Sequence, residues 1–248
     1  MKNVLFKHRS IRKFRSTPIP EEVLREMLEA ATRASTCGNM QLYSLVVTRD
    51  AAVKERLSPC HFNQPMVCEA PCVVTVCADV HRFTMWCEQR EAEPAYDNFA
   101  WFLNASTDAL LAAQNLCIAA ESHGLGICYL GTTIYTAGDI SRVLELPRGV
   151  IPVTTVVVGY PDESPELTDR LPLEAVVHYE KYTDYTAAEI DELWAEREES
   201  ELTKRLLAEN GLPNLARIFT ERRYVRADNL AISNSYFALL KEKGFFNN

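Results

Sequence analysis

His8-Arg9-Ser10-Ile11-Arg12-Lys13 places three permanent cations, a histidine and a hydroxyl within six residues of an otherwise acidic chain. Guanidinium groups stay charged and match phosphate bidentately, and Ser10 and His8 add hydrogen-bonding capacity. The chemistry on offer is anion binding. A solvated basic start to the chain fits the same residues, and taken alone the cluster leaves both readings open. A second basic cluster, Glu221-Arg222-Arg223-Tyr224-Val225-Arg226, has the same ambiguity between an anion site and a solvated helix start.

Other chemistries find little support. The chain has no G-x-S-x-G elbow, no H-E-x-x-H and no P-loop. Gly124-Leu125-Gly126 begins like a dinucleotide fingerprint, but residue 129 is Tyr and the segment precedes a strand pattern instead of following one. Eight cysteines form no C-x-x-C pair, and Cys72-Val-Val-Thr-Val-Cys77 reads as a buried strand. The thiols are therefore expected to be free small hydrophobes in a reducing, cytoplasmic setting, with no metal site. Cys37 is read as a small neutral residue, with a redox thiol as the alternative. A net charge of −8 disfavours nucleic acid and anionic membrane as partners. No window approaches the roughly 20 apolar residues of a membrane span, and the first residues lack the apolar run of a signal peptide.

The elements that must position these residues are legible as alternating patterns. A length of 248 residues permits one large domain or two small ones. Residues 20–31 read as an amphipathic helix with Val23, Met27, Leu28 and Ala31 on one face. A small-residue loop, 34–39, leads to a strand at 42–48. Strands follow at 70–79, 127–130 and 150–160, the last being the most β-branched. Between them, 97–123 is a long helix apolar nearly all round, closed by His123 as a cationic cap and by Gly124 and Gly126. A short helix covers 137–144. After Pro172 the chain turns charged and helical, with one helix expected over 186–209 and another over 227–243. This order points to α+β or α/β layering.

Four segments, in order, resemble the nitroreductase family. They are Arg9-Ser10-Ile11-Arg12 with the following Pro18-Ile19-Pro20; Ser35-Thr36-Cys37-Gly38-Asn39-Met40-Gln41; Gly124-Leu125-Gly126-Ile127-Cys128-Tyr129-Leu130-Gly131; and Val158-Gly159-Tyr160-Pro161 with Leu167-Thr168-Asp169-Arg170-Leu171-Pro172. The second segment lacks the family's prolines. In the fourth, Thr168 stands where the family often has lysine, so one phosphate-facing charge is missing. The resemblance covers about residues 4–180, looks closest to the larger branch of oxygen-insensitive nitroreductases and NADPH–flavin reductases, and extends weakly into the tail.

The resemblance implies an α+β fold with a central, mainly antiparallel sheet of four to five strands flanked by helices. It implies FMN bound at a homodimer interface, with a flavin-binding domain at 1–180 and a helical extension at 181–248. The implied reaction is ping-pong hydride transfer from NADPH or NADH through flavin N5 to nitroaromatic, quinone or flavin acceptors. No catalytic side chain is required, because the cofactor carries the chemistry. By the same resemblance Arg12 faces N1–O2, Arg9 and Arg170 face the phosphate, and His8 and Ser10 assist. Thr36, Asn39, Gln64 and the backbone of Tyr129, Leu130, Gly131 and Thr132 are candidates for the ring and ribityl chain. Arg222 and Arg223 are candidates for the 2′-phosphate of NADPH. Two alternatives stay open: a specialised flavin-dependent dehalogenase or oxidase, and a non-catalytic flavin-binding or sensing protein.

Overall fold

A computed structural model describes residues 2–247. Its sheet has four strands, β1 (Tyr43–Thr48), β2 (Cys72–Asp79), β3 (Gly126–Leu130) and β4 (Val150–Gly159), in the order β1-β2-β4-β3, with every neighbouring pair antiparallel. The expected four-to-five-stranded antiparallel sheet is thus a four-stranded one. β2 and β4 are central and buried along their whole length, which is why both read as continuous apolar runs instead of alternating ones. Pro152 sits inside β4, where a missing N–H would break a ladder. The register shifts there, Val76 facing Thr154 and Cys77 facing Pro152, so Val153 is left over as a bulge.

The helices are α1 (Lys2–Lys7), α2 (Glu21–Ala31), α3 (Ala51–Leu57), α4 (Met66–Glu69), α5 (His81–Glu88), α6 (Phe99–Ser122), α7 (Ala137–Val143), α8 (Ala187–Glu199), α9 (Glu201–Asn210), α10 (Leu215–Ile218) and α11 (Arg226–Glu242). α1, α3, α4, α5 and α10 went unforeseen in the sequence pattern; Asp50 caps α3 by accepting from Val53 N at 3.0 Å. Residues 186–209 do not form the single helix expected. Ser200 adopts extended backbone, ends α8, and caps α9 by accepting from Thr203 N at 3.2 Å. A serine that can satisfy a free N–H competes with helix continuation at that point.

The sequence pattern makes α6 apolar all round, but its two sides differ. Phe102, Ala105, Ala109, Ala112, Ala113, Leu116 and Ala120 are buried at helical spacing against the sheet, whereas Leu103, Leu110 and Leu111 stay about half exposed. Small alanines let the helix approach the strands closely. His123 does cap α6, and its Nε2 lies 3.0 Å from Glu26 Oε2 of α2.

By contact, residues 2–167 and 232–247 form one compact unit and 168–231 a second. This cut differs from the sequence-based boundary at 180/181 because the chain returns after 231: Leu239, Leu240 and Phe245 belong to the same core cluster as Phe102. In the second unit α8 opens with a capping box between Thr186 and Glu189, and Gly211 at φ +61° ends α9.

Candidate functional site

The basic segment is fastened to the edge strand of the sheet. Ser10 bridges Ile127 in parallel register, and Ile11 N donates to Ile127 O at 2.9 Å. The approach is close enough to require glycine at 126: a Cβ there would lie 2.5 Å from Ile11 Cγ1. Further along, Glu163 accepts the backbone N–H groups of Arg12 at 2.5 Å and Lys13 at 3.1 Å, and Arg15 N donates to Tyr160 O at 2.9 Å. The segment is therefore rigid at the backbone while its charged ends remain available.

Those ends differ. His8 Nδ1 pairs with Glu121 Oε1 of α6 at 2.6 Å. Arg9 Nε is sealed from solvent without a hydrogen-bond partner. Together with Lys7, Ile11, Glu121, Leu125 and Gly126, Arg9 lines a cavity of about 290 Å³. Arg12 is exposed, and its guanidinium makes one long contact, 3.5 Å to Ser10 O. An orphaned buried guanidinium N–H and a second uncommitted guanidinium beside an apolar strand are what an anionic, ring-bearing cofactor requires. The residues fit FMN.

The loop carrying Thr36 and Asn39 is a tight 3-10 turn, Cys37–Asn39, with Gly38, Asn39 and Gln41 all at positive φ. Asp108, buried on α6, holds both ends: Oδ1 accepts from Cys37 N at 2.9 Å and Oδ2 from Leu42 N at 3.2 Å. Arg82 adds bonds to the carbonyls of Gln41 and Tyr43, and is itself held by Asp79.

Tyr129 OH donates to Gln114 Oε1 of α6 at 3.3 Å, and burial pushes the phenol well above its ordinary range. Thr132 Oγ1 lies 2.8 Å from His61 Nδ1. His61 is fully buried, its Nε2 has no partner, and burial pushes its pKa down to about 4, so the imidazole is neutral near pH 7. Gln64 N donates to His61 O at 3.2 Å, so the Gln64 loop and the Thr132 turn meet through one histidine.

Helix α6 thus carries three attachments on one shaft. Glu121 takes His8, Gln114 takes Tyr129 and Asp108 takes the Cys37 loop. Glu121 and Asp108 are 121 − 108 = 13 residues apart, about 20 Å along a helix axis.

In the second unit, Arg170 Nη1 donates to Thr168 Oγ1 at 2.8 Å and to the carbonyls of Thr168 and Asp169. The threonine in place of lysine therefore holds the arginine. Arg222 and Arg223 are exposed on a π-helical turn, with Arg223 5.5 Å from the centre of the Phe219 ring.

Sequence reasoning missed Asp108, Glu163 and His61. Asp108 had a signal: a lone acid on the apolar face of a long helix must be paired. Among the described residues no cluster of metal-ligating side chains occurs, no helix is long and apolar enough to cross a membrane, and all eight cysteines are free.

Comparison with known proteins places these features in context. The profile described as Nitroreductase family matches residues 5–160. A Bacillus subtilis protein named FMN reductase (NADPH) is 35% identical over 180 residues, 72% of each chain. Among solved structures, one from Bacteroides fragilis is 49% identical with TM-score 0.97, covering 99% of this chain and 100% of its own. A nitroreductase from B. subtilis is 28% identical with TM-score 0.86, covering 100% and 99%.

Proposed function

The chain belongs to the nitroreductase family, and from that premise we propose that it is an FMN-dependent NAD(P)H oxidoreductase working as a two-fold dimer, with nitroaromatics, quinones or free flavin as acceptors. The observation that carries the reading is the buried, unpartnered Nε of Arg9 within a basic segment locked onto β3.

FMN, when bound, would supply the hydride-transfer chemistry between NAD(P)H and a second substrate in ping-pong order. The chain's own residues bind and orient. Arg9 takes the phosphate, with His8 and Ser10 assisting. Arg12 offers a fixed cation to the N1–O2 edge, where negative charge grows during reduction. Thr36, Asn39, Gln64 and the Tyr129–Thr132 backbone hold the ring and ribityl chain. Arg222 and Arg223, in the second unit, are the candidates for the 2′-phosphate of NADPH.

One feature supports the dimer. Leu103, Leu110 and Leu111 leave an apolar ridge on α6 bare, and such ridges mark interfaces. The free thiols suit a reducing cytoplasm.

The test is the visible spectrum of purified protein, followed by anaerobic titration with NADPH and with NADH. A flavin spectrum bleached by either donor is expected. Protein that binds no FMN, or holds FMN that neither donor bleaches, overturns the reading.

A further inference from the structure

Between α3 and α4 the chain makes a 3-10 turn, Pro59–His61, followed by two non-glycine residues in the left-handed region, Phe62 at φ +55° and Asn63 at φ +54°. Such backbone is strained and persists only where its surroundings fix it. Three hydrogen bonds do so locally. Phe62 N donates to Pro59 O at 3.1 Å, Asn63 N to Ser58 O at 2.9 Å and Gln64 N to His61 O at 3.2 Å. The last bond makes the place of Gln64 depend on the place of His61.

His61 is in turn fixed by the turn after β3. Its Nδ1 lies 2.8 Å from Thr132 Oγ1, and Thr136 Oγ1 donates to the neighbouring Cys60 O. The imidazole is fully buried and its Nε2 has no partner. Packing alone does not call for a histidine here. Leu57, Cys60, Met66 and Val67 already share one apolar cluster with Leu130 and Ile140. A leucine at 61 would extend that cluster without leaving a ring nitrogen buried and unpaired, which costs free energy. The histidine adds direction. Apolar contact is non-directional, whereas a hydrogen bond fixes a distance and an angle. Burial keeps the ring neutral near pH 7, so the bond to Thr132 needs no counter-ion. Thr132 is only half-buried and Gly131 beside it is exposed, so the outer side of the turn stays open.

We propose that His61 is a positioning residue that sets the spacing between Gln64 and Thr132, and thereby how tightly the flavin ring is held and how readily it is reduced. The proposal rests on the flavin reading above, which assigns Gln64 and the Thr132 backbone to the ring. Groups that contact a cofactor need partners behind them that lock their geometry. His61 serves both at once, Thr132 through Nδ1 and Gln64 through its own carbonyl. It touches no ligand and moves no proton.

The experiment uses the full chain and the variants His61→Leu, His61→Asn, Thr132→Val and the double variant His61→Leu with Thr132→Val. Leucine removes the hydrogen bond and keeps apolar volume. The amide of asparagine reaches the place of Nδ1 and keeps the bond. Valine removes only the Thr132 hydroxyl, so the proposal is tested even where His61→Leu fails to fold. For each protein the FMN Kd is measured by fluorescence titration, the midpoint potential of the bound flavin by dye equilibration, and the urea midpoint by unfolding. We expect His61→Leu and Thr132→Val each to raise Kd at least fivefold and to move the potential in the same direction. The double variant should match the worse single variant, because one shared bond is lost only once. His61→Asn should stay within twofold of wild type. A folded His61→Leu or Thr132→Val with wild-type Kd and potential overturns the proposal, whatever its urea midpoint. So do losses that multiply in the double variant, and so does an asparagine variant as impaired as the leucine one. Wild-type protein that binds no FMN overturns the underlying reading instead, and its spectrum shows that before any variant is made.

Discussion

Asp108 Oδ1 accepts the backbone N–H of Cys37 at 2.9 Å while its second oxygen accepts that of Leu42 at 3.2 Å, so one buried carboxylate on α6 closes the loop that carries Thr36 and Asn39. An asparagine has one acceptor oxygen and must turn its NH2 toward the other N–H. Leaving a buried donor unsatisfied costs about 1–3 kcal/mol. Asp108→Asn is expected to lower the urea midpoint accordingly and to weaken FMN binding at least tenfold. Fluorescence titration of apoprotein with FMN checks this, and an unchanged Kd sets the staple aside.

Arg12 is anchored through its backbone to Glu163 while its guanidinium stays uncommitted. Arg12→Ala should leave the segment docked on β3 and remove the cation. We expect flavin occupancy or the rate of flavin reduction to drop at least tenfold, about 1.4 kcal/mol in binding or barrier. Stopped-flow bleaching by NADPH measures it; a yellow variant with full turnover removes Arg12 from the ring.

His61 gives the protein a specific acid sensitivity. Burial lowers its native pKa to about 4, while the unfolded chain titrates near 6.5. Between these values the unfolded state binds the extra proton, so stability falls as pH drops from 6.5 toward 4 and levels below that. The loss between pH 7 and pH 5 from this one group is about 2 kcal/mol. His61→Gln should flatten that part of the profile in urea unfolding at the two pH values. A variant that loses as much stability as wild type refutes the assignment.

Gly126 tests how the basic segment is seated. A methyl group at this position meets Ile11 Cγ1 at 2.5 Å and Ile11 Cβ at 2.8 Å. Overpacking of this kind costs about 1–3 kcal/mol. Gly126→Ala is expected to lose that much stability and to bind FMN more weakly, because Ile11 lies between Ser10 and Arg12. At Gly131 an added Cβ meets nothing within 4 Å. Gly131→Ala should therefore stay within about 0.5 kcal/mol of wild type, and equal losses at both glycines would refute the close-approach account.

Leu110 and Leu111 are about half exposed on α6. Leu110→Glu with Leu111→Glu should convert the proposed dimer to monomer in sedimentation velocity and release FMN with it. A monomeric wild type that retains FMN, or a double variant that stays dimeric, contradicts the interface.

Much of the fold was legible in the residues. The apolar runs 72–79 and 150–159 announced the central strands, and small residues at helical spacing announced α6. The placement of helices after Pro172 was legible, but not the break at Ser200, because a serine that caps one helix looks like an ordinary polar position within a longer one. α1, α3, α4, α5 and α10 were missed because they are short and carry little periodic signal.

For the site, the sequence by itself determined which residue types were present: the cationic cluster His8 to Arg12, the small-residue turn with Asn39, and a glycine-bounded strand in family order. Only the tertiary structure decided what holds them. The ties run between residues far apart in the chain, His8 to Glu121, Cys37 to Asp108, His61 to Thr132 and Arg12 to Glu163. Local patterning reports which face of an element is apolar. It carries no information about which buried acid meets which distant N–H, because that pairing is set by how helices and strands pack.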